Sequence, residues 1–598
     1  MRSVHTPLGI ALATLLGITA CSGGGDSPTP AAVTPVPSTL ITGTAAAGAP
    51  IIGKVTVKDS LGAQKTVDIQ ANGAYSVDVV GLTGPFVFMA DGTVGGRTIQ
   101  IVSAATVDDI SKTINITPFT DLIVANLAGQ AAKAYFASPT FSMLTTPELN
   151  AARQTLTNRL LPILKAMGVS DSFDMLRSSF AADHSGFDAV MDVVRVSTDP
   201  ATQIATITDL VNQTQIQDDL ASKTDTSQLP TPAASLSDTV ASLQGINQTL
   251  ANFSAAFATG IPASNNAVLR ALMAGDFVDE GGGVDEFLSA QAVLVPGMVG
   301  VQQSGASIVA VKDGGATMDV EFQSVTKTAN GGHSTDIWHQ QFRRNAQGLW
   351  QYAGNREWMY LEANSINARF PQQGGGWEYR ANLGESVTTR NAQAAYALWS
   401  GPGIRNWVPS SLAGVTLSGT VLGRSGSAFK FYSVNGVPES TWLPDCAIPY
   451  AQHSFEVTCI NLADVSAGAV YTVTLLDANG APIGTPETVT LAGKPASTSE
   501  ATAASDAWFP RLASTNPATI VGLVDGKQIS FALTPPTNAA YTLWTAALQT
   551  PTRYTDTRVT GTTADLGVWS GSPPTSAQAV VTARDATQRR FVSFYDLP

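Results

Sequence analysis

The 598-residue chain contains three cysteines, five histidines and only 13% charged residues. Each shortage excludes something. Three cysteines cannot build a disulfide-dense scaffold. Lysine and arginine total 33 against 46 acidic residues. The resulting net charge of −13 leaves little basic surface for a phosphate backbone, so nucleic acid is not an expected partner. The sequence also lacks HExxH, GxxxxGK[ST] and GxSxG, so no metal and no cofactor is expected. The nearest serine elbow, Gly423-Arg424-Ser425-Gly426-Ser427, breaks the pattern at its last residue. What is abundant is apolar: 44% of residues are hydrophobic, which excludes a disordered chain. At about 150 residues per domain the length suggests about four domains.

The first twenty residues read as a targeting segment. Arg2 supplies the positive start and LGIALATLLGI the apolar stretch, which is short for a bilayer span. Ile18-Thr19-Ala20-Cys21 then resembles the bacterial lipobox, which implies cleavage before Cys21 and lipidation of its thiol. Residues 21–39, rich in Gly, Ser and Pro, read as a flexible tether. Ser22 stands after the cysteine where an Asp would signal inner-membrane retention. The resemblance therefore implies anchoring in the outer membrane, with the face, periplasmic or external, left open. No other apolar run is long enough to cross a bilayer.

The remaining cysteines, Cys446 and Cys459, enclose twelve residues in PDCAIPYAQHSFEVTCI. Outside the cytoplasm an isolated pair at hairpin spacing reads as a disulfide. Closing a loop of that size is worth about 3 kcal/mol.

Residues 40–116 alternate apolar and polar positions, as in Lys54-Val55-Thr56-Val57-Lys58, with turns expected at Asn72-Gly73 and Asp91-Gly92. Gly48, Pro50, Val55, Val57, Gly62, Gly73 and Tyr75 match the pattern of carboxypeptidase-regulatory-like domains. The segment resembles that family, which implies an Ig-like or transthyretin-like sandwich without catalysis. Residues 117–224 read as mainly helical. Helices are expected from Thr117-Pro118, from Thr146 to Met167, over 173–180 and over 186–194. A hairpin is expected at RVSTDPATQIATIT. The strand domain followed by ITPFTDLI resembles Gram-negative lipoproteins of no assigned activity.

Residues 225–235 read as a linker, and 236–404 as helices followed by long antiparallel strands. The run QQFRRNAQGLWQYAGNREWMYLEA resembles the nuclear-transport-factor-2-like cone, in which helices close one side of a curved sheet. Residues 405–493 and 507–598 show turn signals about every 8 to 12 residues, the rhythm of β-sandwiches. The run VYTVTLLDANGAPIG resembles a hairpin of fibronectin-III-like or Ig-like modules. Residues 494–506 read as a second linker. The expected architecture is thus multidomain and mostly β: a sandwich, a helical segment, an α+β cone and two more sandwiches.

The cone-like segment holds the residues most like a site. On one strand, Trp350, Tyr352, Arg356, Trp358 and Tyr360 share a face. Turned into a concavity, they form an aromatic pocket with one Arg for a planar or sugar-like ligand. Turned inward, the same aromatics are sheet core. Asp336 and His339 are the acid/base candidates, although three residues apart on a strand they face opposite ways. Ser324 and Lys327 match SxxK but are likewise opposed on a β run. His184, in Asp183-His184-Ser185-Gly186, reads as a turn residue, and Asp279-Glu280 as a solvated acidic pair. The sequence therefore points to a cell-envelope lipoprotein with a binding, adhesion or structural role toward envelope proteins or glycans. The alternative is small-ligand binding or catalysis in the 236–404 pocket.

Overall fold

A computed structural model describes residues 39–232, 236–293, 297–327, 333–432, 436–447, 458–559 and 561–598. The segment in which a lipobox with Cys21 was expected, and His453, lie outside these residues. Strands make up 41% and helices 20% of the chain, so the architecture is multidomain and mostly β. Among the described residues no helix is long and apolar enough to cross a membrane.

The N-terminal sandwich pairs Leu40–Thr44 with Ala74–Asp78. A four-stranded sheet lies beside it, in the order Gln64–Asp68, Ile52–Lys58, Phe86–Val94, Arg97–Ala105. The alternation read from sequence is the cause: Val55 and Val57 are buried while Lys54 and Lys58 are not. Asp91-Gly92 is not a turn. It lies inside Phe86–Val94, and the chain reverses at Gly95-Gly96, both with positive φ. Gly92 is needed for a different reason: a Cβ there would stand 2.3 Å from the Ile52 carbonyl oxygen of the neighbouring strand.

Helix Pro118–Ala128 starts at a reciprocal cap between Thr117 and Thr120 and stops at left-handed Gly129. Helix Thr146–Ala166 follows, capped by Thr145. The helix expected over 173–180 does not form. The Asp174 side chain accepts from the backbone N–H groups of Leu176 and Arg177, and this local bonding replaces the helical ladder. Phe173 and Phe180 instead pack on Phe187 of helix Gly186–Val193. The expected hairpin is a three-stranded meander: Val194–Asp199, Ile204–Asp209 and Thr214–Asp219. Nor do residues 225–232 run free. Leu229 is fully buried, and its N–H donates to the Arg159 carbonyl at 3.0 Å.

Helix Leu236–Ala256 lies across an antiparallel sheet of Gln302–Lys312, Thr317–Lys327, His333–Arg344 and Trp350–Gly354. Its apolar face (Leu243, Ile246, Leu250, Phe253) packs on Phe322, Phe342 and Tyr352. The sheet ends at Gly354. The single strand expected to carry Trp350 through Tyr360 is broken, and the next strand, Tyr360–Pro371, belongs elsewhere.

Tyr360–Pro371 and Trp377–Thr388 form a hairpin within a thirteen-stranded sheet that extends to Arg590–Leu597. Trp377–Thr388 pairs with Trp442–Pro444, and Tyr360–Pro371 pairs in parallel with Arg590–Leu597. These two strands, placed in the 236–404 segment by sequence, are therefore the centre of the C-terminal half. One sandwich core, including Leu383, Trp399, Leu443 and Tyr471, lies to one side of them. Another, including Phe531, Leu566 and Trp569, lies to the other. The segment between the sandwiches is ordered as well. Ser497 and Glu500 cap the helix Thr498–Ala504, and Ala501 of that helix packs with Tyr379 and Phe591. A disulfide joins Cys446 and Cys459, with Cα atoms 5.0 Å apart.

Candidate functional site

The five pocket candidates do not converge. Trp350 and Tyr352 are buried beneath helix Leu236–Ala256. Thr249 Oγ1 donates to the Trp350 carbonyl at 2.9 Å, and Tyr352 Oη donates to Gln303 Oε1. Gly245 makes room for the indole, since a Cβ there would stand 2.7 Å from the ring. Arg356, at φ 64°, turns the chain out of the sheet and pairs with Asp276. Trp358 packs on the first C-terminal sandwich and covers Gly484, a position where a Cβ would fall 2.2 Å from the indole. Tyr360 is 42% exposed and donates to Glu362. The strand break over 355–359 thus sends the aromatics into different cores. Asp336 and His339 are both exposed, aligned with Ser324 and Glu321 of the neighbouring strand. Ser324 is buried and Lys327 exposed, as opposed faces require.

A polar joint occupies the break instead. Asp279 is 3% exposed, not a solvated acid. Its Oδ1 accepts from Gln340 Nε2 at 2.7 Å and from the Asn355 N–H at 3.3 Å. Its Oδ2 pairs with Arg390, which also meets Glu280 Oε2 at 3.0 Å. The Thr389 hydroxyl donates to the Trp358 carbonyl at 2.7 Å, and the Trp358 N–H donates to Glu487 Oε1 at 2.5 Å. Residues from five separated stretches of chain therefore tie the helix-backed sheet to the first C-terminal sandwich.

Carboxylates are crowded at this joint. Burial, then the nearby charges of Asp279 and Glu357, raises Glu280 above its usual range, against the pull of Arg390. Burial and the charge of Glu487 raise Glu357, which His339 partly offsets. Glu487 is raised by burial although the Trp358 and Met359 N–H groups favour its charged form. The Asp279-Glu280 pair was visible in the sequence but read there as solvated. Gln340, Arg390 and Glu487 were invisible without the fold.

A second cluster surrounds His184, whose φ is 60°. Its Nδ1 lies 2.9 Å from Asp192 Oδ2, and its backbone N–H donates to Asp188 Oδ2 at 2.7 Å. The hydrogen bond with Asp192 raises the His184 pKa, and burial pushes Asp188 up to about 6. Gly48 of the sandwich abuts Asp192, so the cluster also works as a contact between segments. Among the described residues no group of three or more His, Cys, Asp or Glu side chains is arranged to hold a metal ion.

No protein-family model matches the chain. No curated protein matches it either. Among solved structures it is similar to a tetra-tandem repeat from the extending region of a large adhesion protein. That likeness has 10% identity and a TM-score of 0.11, over 93% of this chain and 98% of the other. It is also similar to the BSP domain of a biofilm-associated protein, at 8% identity and a TM-score of 0.12, over 47% of this chain and 60% of the other. Likenesses this loose determine neither fold nor role.

Proposed function

We propose that the protein is a lipid-anchored, non-catalytic module of the cell envelope. It holds its C-terminal sandwiches as one stiff unit for binding or adhesion to envelope proteins or glycans. Processing at Cys21 would attach it to the outer membrane, and residues 21–39 would tether the folded body. Under this reading residues 40–116 are a carboxypeptidase-regulatory-like sandwich, and the C-terminal modules are Ig-like.

The observation that supports the reading best is the sheet running through both C-terminal sandwiches. A parallel rung from Ile366–Arg590 to Arg369–Ser593 fuses them. Arg369, fully buried, fastens that rung. It donates to Ser593 Oγ at 2.8 Å, to Asp506 Oδ1 at 2.7 Å and to the Pro510 carbonyl at 2.9 Å. Sandwiches joined in this way hold their loops at fixed separations, which suits recognition by several loops at once. The aromatic-pocket alternative loses its basis because its residues are dispersed.

The test has two arms. Palmitate labelling should occur in the natural chain and vanish in Cys21→Ser; equal labelling would refute the anchor. A tag after Pro598 should then be assayed for protease cleavage on intact and opened cells. Cleavage on intact cells places the binding face outside, and protection places it in the periplasm. Partner capture by the full chain should be lost when residues 355–598 are removed. An unchanged set of partners would refute the assigned role of the C-terminal half.

A further inference from the structure

A cleft of about 370 Å3 opens where three parts of the chain meet. Its walls come from the hairpin Phe86–Val94/Arg97–Ala105, from the end of helix Gly186–Val193 with the strand after it, and from the sheet led by Gln302–Lys312. Met191, Val194 and Leu210 give it an apolar lining. Arg97, Arg195 and Glu321 give it charge. The parts meet closely: a Cβ on Gly95 would stand 2.9 Å from the Gly305 carbonyl oxygen. The cleft is therefore built into the packing of the modules.

Its charge is uneven. Arg97 is paired with Glu321. Among the described residues Arg195 donates from Nη2 to the Ile308 carbonyl at 3.0 Å, and no carboxylate pairs with it directly. The cleft thus carries one net positive charge beside apolar surface, in a protein of net charge −13. Arg195 is exposed as a residue; partial desolvation of its guanidinium and the like charge of Arg97 disfavour the cation, and Glu321 only partly offsets this. A bound anion would relieve that cost. A planar guanidinium with free N–H groups suits a carboxylate, which it can meet with two parallel hydrogen bonds. The volume lies at the lower end of small-molecule sites, roughly 300–1,000 Å3, so the ligand must be small.

We infer that this cleft binds a small monocarboxylate with an apolar tail. The carboxylate would meet Arg195, and the tail would lie along Met191, Val194 and Leu210. The inference does not depend on the envelope role proposed above and would survive its failure.

Calorimetric titration of the full chain tests it with decanoate and decanol as probes. Saturable binding of one decanoate per chain is expected, with decanol about tenfold weaker because it lacks the charge-assisted bond. Arg195→Met should erase that preference. Thr98→Trp, a change at an exposed rim position of the cleft, should block both probes without disturbing the fold. Circular dichroism melts of both variants confirm folding; should Arg195→Met fail to fold, Thr98→Trp alone decides. Three results would overturn the inference: no saturable decanoate binding, equal affinity for the two probes, or undiminished binding in Thr98→Trp.

Discussion

The helix-backed sheet over 302–354 and the long sheet over 360–598 are built from similar strands but joined differently. In the first, each strand pairs with its neighbour in sequence. In the second, the central hairpin pairs with a strand more than 200 residues further on, through Ile366–Arg590. Local pairing lets a module close on its own. Distant pairing makes the whole C-terminal half one cooperative object, because its middle strands are complete only when the last strand has arrived.

Truncation would break this comparison most severely. A chain ending at Gly354 keeps every pairing of its own sheets and should unfold in a cooperative transition. A chain ending at Ile404 retains Tyr360–Pro371 and Trp377–Thr388 without their outer partners, and should aggregate through the open edges. Equal solubility of the two would refute the division at 354. Next in size is Arg369→Ala, which removes a fully buried cation from the rung. Through the cavity and the lost hydrogen bonds to Ser593 and Pro510 it should cost about 2–4 kcal/mol in urea unfolding of the C-terminal half, and leave the transition of the N-terminal parts in place.

Glu385 sharpens the contrast from the other side. It is 3% exposed, among the core residues of the first C-terminal sandwich, and among the described residues neither carboxyl oxygen has a hydrogen-bond partner. Burial raises its pKa well above the ordinary 4.5. A folded-state pKa that is raised gives stability that is full at low pH and declines as pH rises past the unfolded value. Glu385→Met should therefore stabilise by about 1–3 kcal/mol, with a gain that grows from pH 4 to pH 8. A gain independent of pH would refute the assignment to Glu385.

The local half supplies a smaller effect. Thr117→Ala removes the cap of Pro118–Ala128 and should lower stability by about 1 kcal/mol, read as a shift of the N-terminal transition alone. The smallest change concerns the joint. Glu487→Gln relieves crowding with Glu357 and keeps an acceptor for the Trp358 N–H. Because the raised pKa of Glu487 again means stability lost as pH rises, the melting temperature should increase slightly at pH 8 and not at pH 4.

How much of this was legible in sequence follows the same division. Thr117-Pro118 and the alternation around Val55 and Val57 are short-range signals, and each produced the element expected of it. The break at 355–359 left a weaker trace: the face shared by Trp350, Tyr352, Trp358 and Tyr360 looked continuous. Nothing in that run reveals that Arg356 adopts a positive φ and turns the chain. The candidate site failed at that residue. Asp174 misled for a related reason, since its side chain competes for backbone N–H groups that a helical pattern would claim.

Composition, the mostly β character and the capped starts at Thr117 and Thr145 were readable along the chain alone, because they depend on residues within a few positions of one another. It took the tertiary contacts to join Tyr360–Pro371 to Arg590–Leu597, to bury Asp279 against Arg390, and to bring Arg195 into one cleft with Arg97 and Glu321. Those facts depend on contacts between residues a hundred or more apart, and the free energy of such contacts comes from burial and pairing that no local pattern encodes.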